Sequence, residues 1–206
     1  MNAPRLLPCG PAAWLVELDD PDEVLSVAAA AGARRDVVEV VPGARTVLVR
    51  LAAGADLDEV ARHLSRRPAI RTPVAEPSDR EVVLPVVYDG ADLEAVADAC
   101  RLSVDDVVRR HAGSTYRSAF CGFSPGFSYL RGLDPALRLP RRATPRSKVP
   151  AGAVAIAAGY TAVYPTSSPG GWQVLGRTDT VLFDPALDPP ALLAPGTTVR
   201  FEVRQA

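Results

Sequence analysis

Between residues 131 and 148 the chain sets six basic side chains, Arg131, Arg138, Arg141, Arg142, Arg146 and Lys148, against a single acid, Asp134. Pro140, Pro145 and Pro150 interrupt the run, so it is an extended segment and not a solvated helix face. A local charge of +5 on a stiff backbone suits an anion. Guanidinium forks match carboxylate and phosphate, and a stiff segment loses little entropy on engaging one. The other reading is plain solvated surface. His111 ends a predicted helix that Gly113 stops. A helix C-terminus favours the imidazolium and would place a general acid or base near neutral pH. The alternative is a histidine satisfied within the core.

Two glycine-rich stretches with aromatic residues follow. In Gly122-Phe123-Ser124-Pro125-Gly126-Phe127-Ser128-Tyr129-Leu130, two glycines and a proline fix a tight backbone path. It reads either as a rigid pocket wall with exposed N–H groups or as a barrel loop whose rings complete the core. Ser124 sits between glycines like a nucleophile, but Pro125 removes an N–H that an oxyanion hole would use. In the stretch from Tyr164 to Gln173, Gly170 and Gly171 permit close backbone approach where a strand begins. Trp172 and Gln173 then point to opposite faces. A core tryptophan accounts for Trp172, but less well for Gln173 or the Thr166, Ser167 and Ser168 hydroxyls.

Other chemistries are excluded by what the sequence lacks. It holds no G-x-x-x-x-G-K-[ST] loop, no G-x-G-x-x-G after a strand and no G-x-S-x-G elbow. Two histidines and three scattered cysteines, Cys9, Cys100 and Cys121, argue against a metal site or a disulfide framework. A reducing cytoplasm fits, and no apolar run approaches a membrane span. The net charge of −1 over 206 residues gives no global pull toward nucleic acid. Lys148 is the single lysine beside 22 arginines, and the 15 glycines and 20 prolines thicken from Cys121 to Gly171, which excludes an all-helical chain.

The elements that must position these residues form two groups. Strands are expected at 6–9, 13–18, 36–41 and 45–51. Helices start at Asp20 and Asp56, each with a capping box completed by Glu23 or Glu59. The order β-β-α-β-β-α predicts a small α+β domain, one sheet with two helices on one face. Residues 66–79 read as a linker, giving domains 1–79 and 80–206. The second domain starts with a strand at 81–88 and a helix pair at 92–100 and 103–111, the latter with an apolar stripe of Val104, Val107, Val108 and His111. Short strands are then expected at 116–120, 153–158, 162–164, 172–175, 180–183 and 198–203. These predict a closed or nearly closed β-barrel plugged by the helices.

The motifs resemble the 5-oxoprolinase B subunit family (PxpB), also called KipI or allophanate hydrolase subunit 1. The pattern is carried by His111, Tyr116, Gly122-Phe123, Pro125-Gly126-Phe127, Tyr129-Leu130, Pro140-Arg141-Arg142, Pro145-Arg146 and Val149-Pro150-Ala151-Gly152. It continues through Val163-Tyr164-Pro165, Pro169-Gly170-Gly171-Trp172-Gln173, Gly176-Arg177-Thr178, Phe183-Asp184-Pro185 and Pro195-Gly196. The resemblance implies a cyclophilin-like barrel behind the small domain. It also implies two partners, a KipA-like protein (allophanate hydrolase subunit 2) and a lactam-utilisation protein. Together the three would open 5-oxoproline to glutamate with ATP hydrolysis. Relatives implied as alternatives are an inhibitor of a sensor histidine kinase and a carboxyltransferase component of a urea or allophanate pathway.

On this resemblance Arg141, Arg142, Arg146, Lys148 and Arg177 are expected to hold an anion, Gln173 and Thr178 to hydrogen-bond a lactam or ureido group, and His111 to act as acid or base. Gly122, Phe123, Pro125, Gly126, Phe127, Tyr164, Gly170, Gly171 and Trp172 would form the pocket wall. The chain departs from the family at Ala112, Ala153, Ala155, Ala157 and Ala162, where Ser, Thr or Gly is usual, so methyl groups narrow any pocket there.

Overall fold

In the first third of the chain, β-branched runs and capped helices settle into one layer on another. The computed structural model describes residues 3–65 and 81–205. Within them lie two units, inside 1–78 and 79–206. The expected linker and the expected boundary at 79/80 lie outside the described residues.

In the first unit, β1 (Arg5–Pro8), β2 (Ala13–Glu17), β3 (Val37–Pro42) and β4 (Thr46–Leu51) form an antiparallel sheet in the order β1-β2-β4-β3. Helices α1 (Val24–Gly32) and α2 (Leu57–Ser65) lay Val24, Val27, Ala31, Val60 and Leu64 on Val16, Val47, Val49 and Leu51. Their starts follow the caps. Asp20 accepts from Asp22 N–H at 2.8 Å before a 3-10 turn that leads into α1, and Asp56 accepts from Asp58 and Glu59 N–H at 3.0 Å.

The second unit is built on a seven-stranded sheet. Its strands are β5 (Glu81–Val86), β6 (Tyr116–Cys121), β7 (Ser128–Arg131), β9 (Ala153–Ala157), β10 (Tyr160–Val163), β12 (Gln173–Arg177) and β13 (Thr198–Val203). The order is β12-β9-β10-β7-β6-β13-β5, and β13 runs parallel to β5 while its other neighbour, β6, is antiparallel. Past β5, Val87 exchanges both backbone hydrogen bonds with Arg177 at 2.9 Å, which closes the barrel. A separate ribbon pairs β8 (Arg146–Val149) with β11 (Ser168–Gly170).

The period of two along β9 separates two cores. Val154 and Ile156 point into the barrel with Leu84, Val86, Leu130, Leu175 and Val199. Ala153, Ala155 and Ala157 face the other way, under Phe127, Tyr164 and Trp172. Helices α3 (Leu93–Cys100) and α4 (Val104–Ala112) add Leu93, Val96, Ala97 and Val107 to the barrel interior.

Three expectations change. Residues 180–183 form no strand; Phe183 makes one isolated bridge to Ala191, because Pro185, Pro189 and Pro190 deny the segment the donors of a ladder. Strands β7, β8 and β11 form where the sequence suggests only loops or extended chain. Val104 leaves the apolar stripe and is 36% exposed, while Val107 and His111 stay buried.

Candidate functional site

The basic segment meets a carboxylate that comes from far away in the chain. Asp92, just ahead of α3, is 2% exposed. Its Oδ1 accepts from Arg142 Nη1 at 2.5 Å and Arg146 Nη2 at 2.7 Å, and its Oδ2 accepts from Arg146 Nη1 and Val174 N–H, both at 2.7 Å. Asp92 N–H in turn donates to Val174 O at 3.0 Å. Burial alone would raise the pKa of the Asp92 carboxyl. The Arg146 hydrogen bonds, the Val174 N–H and the two guanidinium charges outweigh it and hold the group below its ordinary value. The Asp92 bonds likewise push Arg146 up.

This divides the expected anion cradle. Arg142 and Arg146 are engaged by an internal carboxylate, and the three groups together keep one positive charge. Arg141 and Lys148 are exposed, with no ion pair among the described residues. Gln173 Nε2 donates to Pro140 O, one residue before Arg141, at 3.4 Å. Arg177 and Thr178 belong elsewhere. Arg177 Nε donates to Asp89 at 2.9 Å, and Thr178 Oγ1 donates to Thr180 Oγ1 at 3.1 Å. Both line a cleft of about 240 Å³ with Pro85, Val87, Thr180 and Arg204.

The residues expected as a pocket wall converge on one aromatic cluster. Phe127 meets Tyr164, Trp172 and Tyr129 edge-on, with ring centroids 5.2, 5.6 and 5.2 Å apart. These rings lie over Ala153, Ala155, Ala157 and Ala162, so the methyl groups form a packed floor. Gly170 lets the β11 strand pass Tyr164: a Cβ there would sit 2.3 Å from Tyr164 Oη. Gly171 O accepts from Arg142 N–H at 2.7 Å and ties the cluster to the basic segment.

The loop at 122–127 is two turns in series. Ser124 N–H donates to Gly122 O at 2.9 Å across Phe123, whose φ is 72°, a strained γ-turn. Phe127 N–H then donates to Ser124 O at 3.0 Å across Pro125 and Gly126, and Gly126 has φ 79°, the arrangement of a type II turn. The result displays Phe123 at 63% exposure on a fixed backbone, with Phe127 edge-on behind it.

Of the two readings of His111, its surroundings match the core one. It is fully buried, and burial lowers its pKa to about 3. The expected imidazolium near neutral pH is therefore replaced by a neutral ring. Its tautomer follows from donor bookkeeping. Thr161 Oγ1 donates to Ala155 O at 3.1 Å, so toward His111 Nε2, 2.9 Å away, it can only accept. Nε2 carries the proton, and Nδ1 accepts from Tyr88 Oη at 2.7 Å. Burial raises the Tyr88 pKa and keeps that hydroxyl protonated. Phe201 stacks on the imidazole with ring centroids 4.6 Å apart. His111 thus joins α4, β10 and the segment just after β5.

The chain matches the family model of the carboxyltransferase domain, subdomain C and D, over residues 4–193. It is 46% identical over 171 residues to the 5-oxoprolinase B subunit of Escherichia coli O157:H7, covering 81% of this chain and 78% of that protein. The chain belongs to the 5-oxoprolinase B subunit family. The crystal structure of TTHA0988 superposes at a TM-score of 0.80 with 34% identity, over 94% of this chain. This chain spans only 40% of the TTHA0988 chain. The urea amidolyase of K. lactis shares the fold, with a TM-score of 0.69 at 20% identity, over 98% of this chain and 15% of the amidolyase.

Within this member of the family, sequence reasoning missed Asp92, Tyr88 and Thr161. Asp92 had one signal, an acid ahead of a helix, which reads as a cap. Its side chain makes no capping bond, because the arginines take both oxygens. Among the described residues no three His, Cys, Asp or Glu side chains are grouped to hold a metal ion.

Proposed function

We propose that this chain is the B subunit of an ATP-dependent 5-oxoprolinase assembly, opening 5-oxoproline to glutamate together with a KipA-like protein and a lactam-utilisation protein. The identity of 46% to the 5-oxoprolinase B subunit of Escherichia coli O157:H7 carries this reading. ATP is assigned to the assembly as a co-substrate, because this sequence holds no glycine-rich phosphate loop of the P-loop type. The chain would work in the cytoplasm. Among the described residues no helix is long and apolar enough to cross a membrane.

The geometry supports a binding role over a proton-transfer role. Arg141 and Lys148 offer exposed charge at the two ends of the stretch that carries Arg142 and Arg146, and Gln173 donates to the backbone at Pro140. In this reading Arg141 and Lys148 meet the anionic group, and the Asp92 clamp fixes the segment that carries them. Arg177 and Thr178 would contribute from their own cleft. His111 would act through the fold, since a buried neutral imidazole has no route to a reacting atom.

The test is reconstitution. The chain is co-expressed with its two expected partners, and 5-oxoproline-dependent ATP hydrolysis is measured with each component omitted in turn. Activity lost on omitting this chain is the expected result. Full activity without it overturns the proposal, and inhibition of a sensor kinase by the isolated chain would put the regulatory reading in its place.

A further inference from the structure

Arg117, on β6, carries an anomaly that none of the foregoing uses. Its Nε and Nη2 are buried and neither has an acceptor. No carboxylate pairs with it among the described residues. A charged donor pair withdrawn from water without acceptors is costly, and such groups are ordinarily paired. In the strand register Arg117 stands directly opposite Arg131 on β7, a second cation that brings it no acceptor. On its other side is Thr198 of β13. Beyond Thr198 lies Glu81, whose carboxylate is engaged by Arg200 at 3.5 Å.

The two orphaned nitrogens are informative as a pair. Nε–H and one Nη2–H lie on the same edge of the guanidinium and point in parallel. That edge is the fork that accepts the two oxygens of a carboxylate or two oxygens of a phosphate. A water would satisfy one donor and leave the charge uncompensated. Thr198, as the register partner, presents its side chain on the same sheet face as Arg117, where its hydroxyl is a further donor.

We propose that Arg117 anchors a second ligand site, in which its Nε/Nη2 edge grips a small oxyanion, a carboxylate or a phosphate group, with Thr198 as an auxiliary donor. Arg117 is only partly buried as a residue, so the side chain that carries the fork also reaches solvent. The site is separate from the Asp92 clamp, whose arginines already hold a carboxylate. It does not depend on the assembly or its reaction.

The experiment uses the full chain alone. Its melting temperature is followed while inorganic phosphate or acetate replaces chloride at constant ionic strength. The expected result is a saturable rise with at least one anion; phosphate alone identifies a phosphate group, and acetate alone a carboxylate. Arg117→Gln and Arg117→Lys should both raise the half-saturating concentration on the order of tenfold, because lysine keeps the charge but not the fork. Arg200→Gln, a neighbour without an orphaned fork, should leave it unchanged. The proposal is overturned if neither anion saturates, or if Arg200→Gln weakens the response as much as Arg117→Gln. Where the Arg117 variants fail to fold, nitrogen-15 NMR of the unmodified chain decides. The Arg117 Nε–H resonance must move with the anion, and a stationary resonance overturns the site.

Discussion

Asp92 joins the basic segment to β12. It pairs with two guanidinium groups and accepts from a strand N–H through one buried carboxylate. Removing one partner of such a set leaves the others charged and unpaired, which costs about 3–5 kcal/mol. Asp92→Asn should therefore lower the unfolding free energy by roughly that amount in urea titrations. An unchanged denaturation midpoint would show that the clamp contributes nothing to the fold. A second residue-scale test separates the paired glycines. Gly170→Ala drives a methyl group to within 2.3 Å of Tyr164 Oη, whereas at Gly171 the nearest atoms lie 3.7 Å away. The first should destabilise by about 1–3 kcal/mol and the second far less. Equal effects in thermal melts would refute the close-packing account.

At the scale of elements, helix α4 depends on the residue that caps it and supports the histidine at its other end. Ser103 Oγ accepts from Asp106 N–H at 3.1 Å and donates to Asp106 Oδ2 at 2.8 Å. Ser103→Ala should cost about 1 kcal/mol, read as a lower denaturant midpoint with an unchanged slope. Caps of this kind are legible because the cap and its partner are three residues apart. The clamp is not legible for the opposite reason: Arg142 and Arg146 lie 50 and 54 positions from Asp92. The charge run at 131–148 is visible in the sequence, but its local excess gives no hint of a distant counter-charge. Strands β8 and β11 are too short and too broken by proline to show a period of two. Residues 180–183 have strand composition, yet the prolines after them limit the pairing to one isolated bridge from Phe183 to Ala191. His111 is visible as a residue on an apolar stripe, and there the core reading describes its surroundings while the titrating one does not.

For the barrel unit as a whole, pH acts through groups whose protonation differs between folded and unfolded chains. His111 takes up a proton near its ordinary value of 6.5 when unfolded, but only at about 3 when folded. Its neutral form favours the fold fully above about pH 6.5, and that contribution drains away as the pH falls toward 3. Asp92, held below its ordinary value of 3.8, stabilises above that value and adds its own loss only at lower pH. Between about pH 7 and about pH 5 the histidine contribution should amount to about 2 kcal/mol. His111→Gln should flatten the unfolding free energy across that interval. A variant with the same slope as the parent would show that another group carries the dependence.

The parallel pairing of β5 with β13 has a temporal side. Glu81 and Thr198 are register partners, so the barrel's opening strand leaves the ribosome long before the neighbour it needs. Until Thr198–Val203 emerges, β5 and β6 both keep a bare edge and the ring stays open. Long-range pairings of this kind fold slowly, and exposed edges invite pairing with other chains. A nascent chain arrested before residue 198 is thus a species that a cell must shelter, whereas the first unit, whose strands all come from the first 51 residues, needs no such wait.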